Sequence, residues 1–178
     1  GTDKLLMYDF DERTGTLAAD SPNVRTVKPG AGPRHVALSP SGKYLYVVNE
    51  LISSVSVFVF SSGIETLEEQ QTVSTLPDDF TGENTAAEII LDSRARYLYV
   101  SNRGDESIVA FSIESSTGSL TFVQRIPSGG KSPRHIALDP TGRWLVAANE
   151  KSDWITVFRV GPDGGRLAMT TRSADVAS

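Results

Sequence analysis

Gly32-Pro33-Arg34-His35-Val36-Ala37-Leu38-Ser39-Pro40-Ser41-Gly42-Lys43-Tyr44-Leu45 returns later in the chain as Ser132-Pro133-Arg134-His135-Ile136-Ala137-Leu138-Asp139-Pro140-Thr141-Gly142-Arg143-Trp144-Leu145. Between them lies a third copy, Ala86-Ala87-Glu88-Ile89-Ile90-Leu91-Asp92-Ser93-Arg94-Ala95-Arg96-Tyr97-Leu98, in which Glu88 replaces the histidine. Other landmarks keep register: Asn49, Asn102 and Asn149 fall 14 residues after that position, and Phe58, Phe111 and Phe158 fall 23 after it. Leu67, Leu120 and Leu167 follow nine residues beyond each phenylalanine. Tyr8 to Leu17 fits the same ruler, so the chain opens inside a unit already under way. Periods of 53 and 47 residues mark an array of supersecondary units, none of which buries its apolar surface alone.

Each unit holds four short strand patterns. In the central unit they cover 88–91, 97–101, 107–113 and 119–125, parted by Asp-Ser, Arg-Gly-Asp and Ser-Thr-Gly turn clusters. The third strand is apolar on both faces, with Leu5, Val55, Ile108 and Ile155 on one side and Tyr8, Phe58, Phe111 and Phe158 on the other. A strand buried on both sides lies in a sheet stacked between two sheets. Four strands per repeat with that burial predict an all-β chain of four-stranded β-propeller blades. The repeats divide it into 1–31, the end of a blade, and three successive blades at 32–85, 86–131 and 132–178. Tyr44, Tyr97 and Trp144 occupy equivalent strand positions and are expected in the core. Gly42 and Gly142 become Ala95 in the central copy, which predicts a different turn there, because alanine resists positive φ.

Composition narrows the partners. The 178 residues carry 17 basic and 22 acidic side chains, and no Lys/Arg cluster offers the footprint that nucleic acid or an anionic membrane requires. Apolar residues never run to the 18 or more consecutive positions of a membrane helix. With no cysteine and two histidines, a metal or other cofactor is not expected. No secretory leader is visible, so a cytoplasmic location is expected unless the true start lies elsewhere.

The series Gly-Pro-Arg-His, Tyr-Leu-Tyr-Val-Val-Asn-Glu, Ala-Ala-Glu-Ile, Tyr-Leu-Tyr-Val-Ser-Asn-Arg-Gly and Ser-Pro-Arg-His resembles the seven-bladed propeller lactonases. That family includes the propeller-type 6-phosphogluconolactonases and the carboxy-muconate lactonizing enzymes. The resemblance implies about three and a half blades of a probable seven, equivalent to the family's C-terminal half. The remaining blades would come from the rest of a longer chain, the favoured reading, or from a second copy. Its terminal blades are expected to expose Leu5, Met7 and Ile155.

In a propeller the first strand of each blade lines the central channel. Arg34-His35, Ala87-Glu88 and Arg134-His135 therefore converge on one mouth, ringed farther out by Asn49-Glu50, Asn102-Arg103 and Asn149-Glu150. The extra residues of the longer period fall in 76–85, a rim or partial lid on that face. Lactone hydrolysis needs a base to activate water, donors for the developing oxyanion and positive charge for an anionic substrate. Glu88 or His35 is the expected base and His135 a second acid or base, while Arg34, Arg103 and Arg134 are expected to hold anionic oxygens. By resemblance, the family's proposed catalytic His, Glu and Arg match His35, Glu88 and Arg134.

Structural roles compete with these. Arg34 and Arg134 would tie blades through backbone carbonyls, the three asparagines would form turns, Glu50 and Glu150 would be solvated, and Gly104 in Arg103-Gly104-Asp105 would serve its turn. Glu88, a carboxylate where the other copies have histidine, breaks the repeated pattern, and such breaks are expected at functional sites. The leading function is metal-independent hydrolysis of a small anionic sugar lactone. The alternatives are a muconate-type lactonizing isomerase and a non-catalytic binding propeller.

Overall fold

The computed structural model describes residues 2–18, 23–61 and 66–173. The chain opens with β1 (Lys4–Met7) and β2 (Phe10–Asp11), which pair with β4 (Asn23–Thr26) and β3 (Thr16–Leu17) respectively. Together they supply the third and fourth strands of a blade, as the Tyr8–Leu17 spacing predicts. The next sheet runs β5 (Pro33–Leu38), β6 (Tyr44–Asn49), β7 (Ser54–Ser61) and β8 (Thr66–Ser74). It is followed by β9 (Thr85–Leu91), β10 (Tyr97–Arg103), β11 (Ser107–Ile113) and β12 (Leu120–Pro127). The last comprises β13 (Pro133–Leu138), β14 (Trp144–Asn149), β15 (Trp154–Val160) and β16 (Leu167–Ser173). All three are antiparallel meanders in chain order, so each blade closes on local hairpins. The three four-stranded sheets span 33–74, 85–127 and 133–173.

Strand alternation then sorts side chains to the two faces of each sheet. Phe58 turns back toward the first half-blade, with Val27, Ala31, Val47 and Leu67, while Leu5 and Met7 close that layer from the other side. Val55 and Val57 turn forward and meet Phe111, Leu98 and Val109 of the following blade. Ile108 and Ala110 repeat this against Phe158, Leu145 and Leu167. All three phenylalanines are fully or almost fully buried. The first strand pair therefore does not expose Leu5 and Met7. Its bare face carries Leu6, Tyr8 and Val24 instead. Val36 and Leu38, paired with Val47 and Leu45, are exposed on the face of the next sheet that meets this half-blade, and Ile155 is half-buried.

Blade stacking also explains an unequal fate for three aromatic residues in register. Tyr44 lies under the turn after β11, where its hydroxyl donates to the Ser116 carbonyl at 2.7 Å. Tyr46 and Tyr99 donate in the same way to the Gly118 and Gly165 carbonyls. A Cβ on either glycine would stand 2.5 Å from the ring of Tyr44 or Tyr97, and both adopt positive φ, so neither turn admits a side chain. Among the described residues no following turn lies above Trp144, which is 38% exposed, contrary to the expectation of a core position.

The turn at Ala95 also departs from expectation. Its φ is +49°, beside +69° at Gly42 and +68° at Gly142, so the turn is conserved in shape and alanine is forced into it. The Asp92 carboxylate accepts from the backbone N–H of Arg96 at 2.5 Å and of Tyr97 at 2.8 Å. Asp139 holds Arg143 and Trp144 in the same manner. That side-chain cap fixes the backbone irrespective of the residue between.

Candidate active site

Each inner strand carries an extra residue at its start. Pro33 pairs with Asn49 and His35 with Val48, leaving Arg34 as a bulge; Pro133 and His135 repeat this around Arg134, and in the central blade Ala87 and Glu88 together stand opposite Ser101. Proline has no N–H to give a ladder and is accommodated at such irregular strand starts. A bulge re-aims the side chains beside it. Here it sets Arg34 and His35 next to each other and turns the His35, Glu88 and His135 side chains toward a single point.

That point is the Glu88 carboxylate. His35 Nδ1 lies 2.7 Å from Oε1 and His135 Nδ1 2.6 Å from Oε2, so one carboxylate joins three successive blades. The Ile89 N–H also donates to Oε1 at 3.1 Å, and the Glu88 N–H donates to the Ser101 hydroxyl. Burial pushes the Glu88 carboxyl up, but the hydrogen bonds from His35, His135 and Ile89 outweigh it and hold the group below its ordinary value. An ionised carboxylate only accepts, so each imidazole carries its proton on Nδ1. Both Glu88 oxygens are thereby occupied.

The two histidines then differ. The Arg34 guanidinium, which can only donate, approaches His35 Nε2 at 3.3 Å through Nη1 and also donates to the Ala87 carbonyl at 3.1 Å. His35 thus has both ring nitrogens engaged. Arg134 instead donates to Glu150 at 3.0 Å, and among the described residues His135 Nε2 has no hydrogen-bond partner. The His135 side chain is 64% exposed against 42% for His35. Of two residues indistinguishable in the repeat, His135 presents the open nitrogen.

A second ring of charge surrounds the first. Glu50 accepts from Arg34 Nε at 3.2 Å and from Arg103 Nη2 at 2.5 Å, both arginine side chains being more than four-fifths buried. Glu50 is thus a bridge between blades rather than a solvated charge, and Arg34 and Arg103 are spent on it and on the Ala87 carbonyl instead of facing solvent as free forks. Desolvation opposes ionisation of Glu150, but the Arg134 bond and charge, the Ser132 hydroxyl and the Arg103 charge prevail and lower its pKa. The clue for Glu50 was present in sequence, since equivalent positions read Glu50, Arg103, Glu150, with charges alternating from blade to blade.

Asn49, Asn102 and Asn149 are buried and bind the turn after the second strand, the first two through Ser54 and Ser107 and the third through the Trp154 carbonyl. Gly104 passes so close to Glu83 that a Cβ would stand 2.1 Å from its carbonyl oxygen, and Asp105 is engaged by Arg125. The tripeptide is therefore structural. The loop before β9 contributes to one side of a cleft. With Glu83, Asn84 and Thr85 it lines this cleft of about 880 Å³, faced by Arg103, Arg134, Glu150 and Lys151; His35, Glu88 and His135 do not line it, and Arg134, the residue before His135, is its nearest link in sequence to them. Among the described residues, no group of three or more His, Asp or Glu is placed to hold a metal ion.

The family model for lactonases with a 7-bladed beta-propeller matches residues 1–178. The chain belongs to the seven-bladed propeller lactonase family. A 6-phosphogluconolactonase of Bacillus subtilis is 36% identical to this lactonase-family chain over 176 residues, covering 99% of it and 49% of the relative. A solved protein of Lactobacillus plantarum superposes with a TM-score of 0.90 at 33% identity, covering 97% of this chain and 49% of its own. The periplasmic gluconolactonase of Pseudomonas aeruginosa gives 0.86 at 34% identity, covering 96% and 48%. This chain spans about half the length of the curated lactonases it matches.

Proposed function

We propose that the full propeller hydrolyses a sugar lactone at this mouth, with His135 as the general base. The observation that carries the reading is the open Nε2 of an imidazole whose other nitrogen is held by an ionised, largely buried Glu88. Nε2 takes a proton from water as the water oxygen bonds to the lactone carbonyl carbon, and Glu88 stabilises the resulting imidazolium. When the ring C–O bond breaks, the imidazolium returns the proton to the departing alkoxide, giving the hydroxy acid. Glu88 thereby moves from the expected base to the group that orients and stabilises the base, and His35 shares its load.

Arg134, the more exposed arginine of the rim, meets the developing oxyanion or an anionic substituent in this reading, which its exposure supports, with Lys151 on the neighbouring cleft. Relatives named 6-phosphogluconolactonase and gluconolactonase favour hydrolysis of a sugar lactone over lactonizing isomerisation.

The test is turnover in the full-length protein. His135→Gln and Glu88→Gln should each lower lactone turnover at least about a hundredfold, the lower end of a general-base contribution, while substrate binding survives. His35→Gln should cost less than either. Undiminished turnover in a folded His135→Gln variant would overturn the assignment.

A further inference from the structure

The opposite end of the sheets carries a different concentration of charge. Arg94 and Arg96, from the turn between β9 and β10, Arg143, from the turn between β13 and β14, and Arg159 of β15 line a cleft of about 470 Å³. Among the described residues Asp92 and Asp163 are its only carboxylates, so four guanidinium groups face two acids in a chain whose net charge is −5. The Asp92 carboxylate is already turned to the backbone of Arg96 and Tyr97.

Two of these arginines are not required by the fold. Arg94 stands where the other blades have Ser41 and Thr141, and Arg159 where they have Val59 and Ser112. Those same two make no hydrogen bond or ion pair among the described residues. The other two are held in place. The Arg96 guanidinium lies over the Tyr97 ring, 5.4 Å from its centroid, with Nε 3.7 Å from Asp92. Arg143 donates through Nε to the Thr141 hydroxyl at 3.2 Å, which leaves its terminal nitrogens open. Like charges gathered in a concave site repel unless an anion joins them, and departures from the repeat locate that cost at one junction between blades.

We propose that this cleft binds a small phosphorylated anion. Planar guanidinium forks match phosphate oxygens, several of them can share a multiply charged group, and the volume suits a metabolite. Both walls belong to complete blades of this chain, so the site does not depend on the mouth or on the hydrolytic reading.

Calorimetric titration of the full-length protein with inorganic pyrophosphate at low ionic strength tests it. The wild type should bind, and added salt should weaken the binding. Arg94→Gln with Arg159→Gln should weaken it at least tenfold in a protein whose circular dichroism is unchanged, whereas Arg134→Gln at the mouth should leave it unaltered. No binding by the wild type, or equal affinity in the double variant, overturns the proposal. Tighter binding of a single-stranded oligonucleotide that pyrophosphate cannot displace also overturns it, in favour of a macromolecular partner.

Discussion

Ala95 pays the conformational cost of a turn built for glycine. An L-residue in the left-handed region is disfavoured by about 1–2 kcal/mol, part of which glycine returns through its larger loss of backbone freedom on folding. Ala95→Gly should therefore raise stability by about 0.5–1 kcal/mol, read from urea denaturation, and a loss would show that the Asp92 cap does not hold the turn as described. Glu88 gives a second expectation, with a definite sign. Its carboxyl is depressed in the fold below an ordinary value of 4.5, so its contribution is complete above that value and is lost as pH falls through the folded one. The stability gap between wild type and Glu88→Gln should accordingly shrink from pH 5 to pH 3 in a series of urea melts. A gap independent of pH would mean that the imidazole bonds do not set this carboxyl. Sequence marked Glu88 because it breaks a repeat, but it could not rank His35 against His135. That ranking depends on whether the neighbouring arginine reaches back to the ring or away to a rim glutamate, a choice between contacts distant in the chain.

Blades are legible for a related reason: local alternation decides which face of a strand is apolar, and the third strands are apolar on both. The register landmarks Phe58, Phe111 and Phe158 each fall in a separate apolar layer between neighbouring sheets. The bulges at Arg34, Ala87 and Arg134 were not legible, because a bulge exists only in the pairing of two strands. Phe111 and Phe122 separate burial from mere aromatic contact. Their rings meet edge to face at 6.4 Å, yet Phe111 is 2% exposed and Phe122 62%. Phe111→Ala should cost about 3–5 kcal/mol, the usual range for emptying a buried aromatic site. Phe122→Ala should cost under about 1.5 kcal/mol, little more than the edge-to-face contact. Equal losses in chemical denaturation would mean that the sheets are not stacked through Phe111.

At the scale of the molecule, the same stacking leaves two faces without a neighbour. Leu6, Tyr8 and Val24 line the first, with Val36 and Leu38 exposed on the sheet that packs behind it, and Trp144 stands on the last blade, where no further turn among the described residues covers it. Interior blades show what such faces require: the equivalents Tyr44 and Phe58 are buried by the sheets beside them. Half the length of the related lactonases therefore supplies sound inner layers and unfinished outer ones. Contiguous apolar patches of this kind drive association. Residues 1–178 produced alone should self-associate with rising concentration in light scattering and should enhance the fluorescence of a hydrophobic dye. The full-length propeller, its end faces covered, should do neither. The substitutions Leu6→Lys and Val36→Lys, both at exposed positions, should reduce association of the 178-residue chain without unfolding it. A sharp monomer of that chain with no dye response would mean that these faces are closed in some other way, and it would count against reading β1 to β4 as half of a blade.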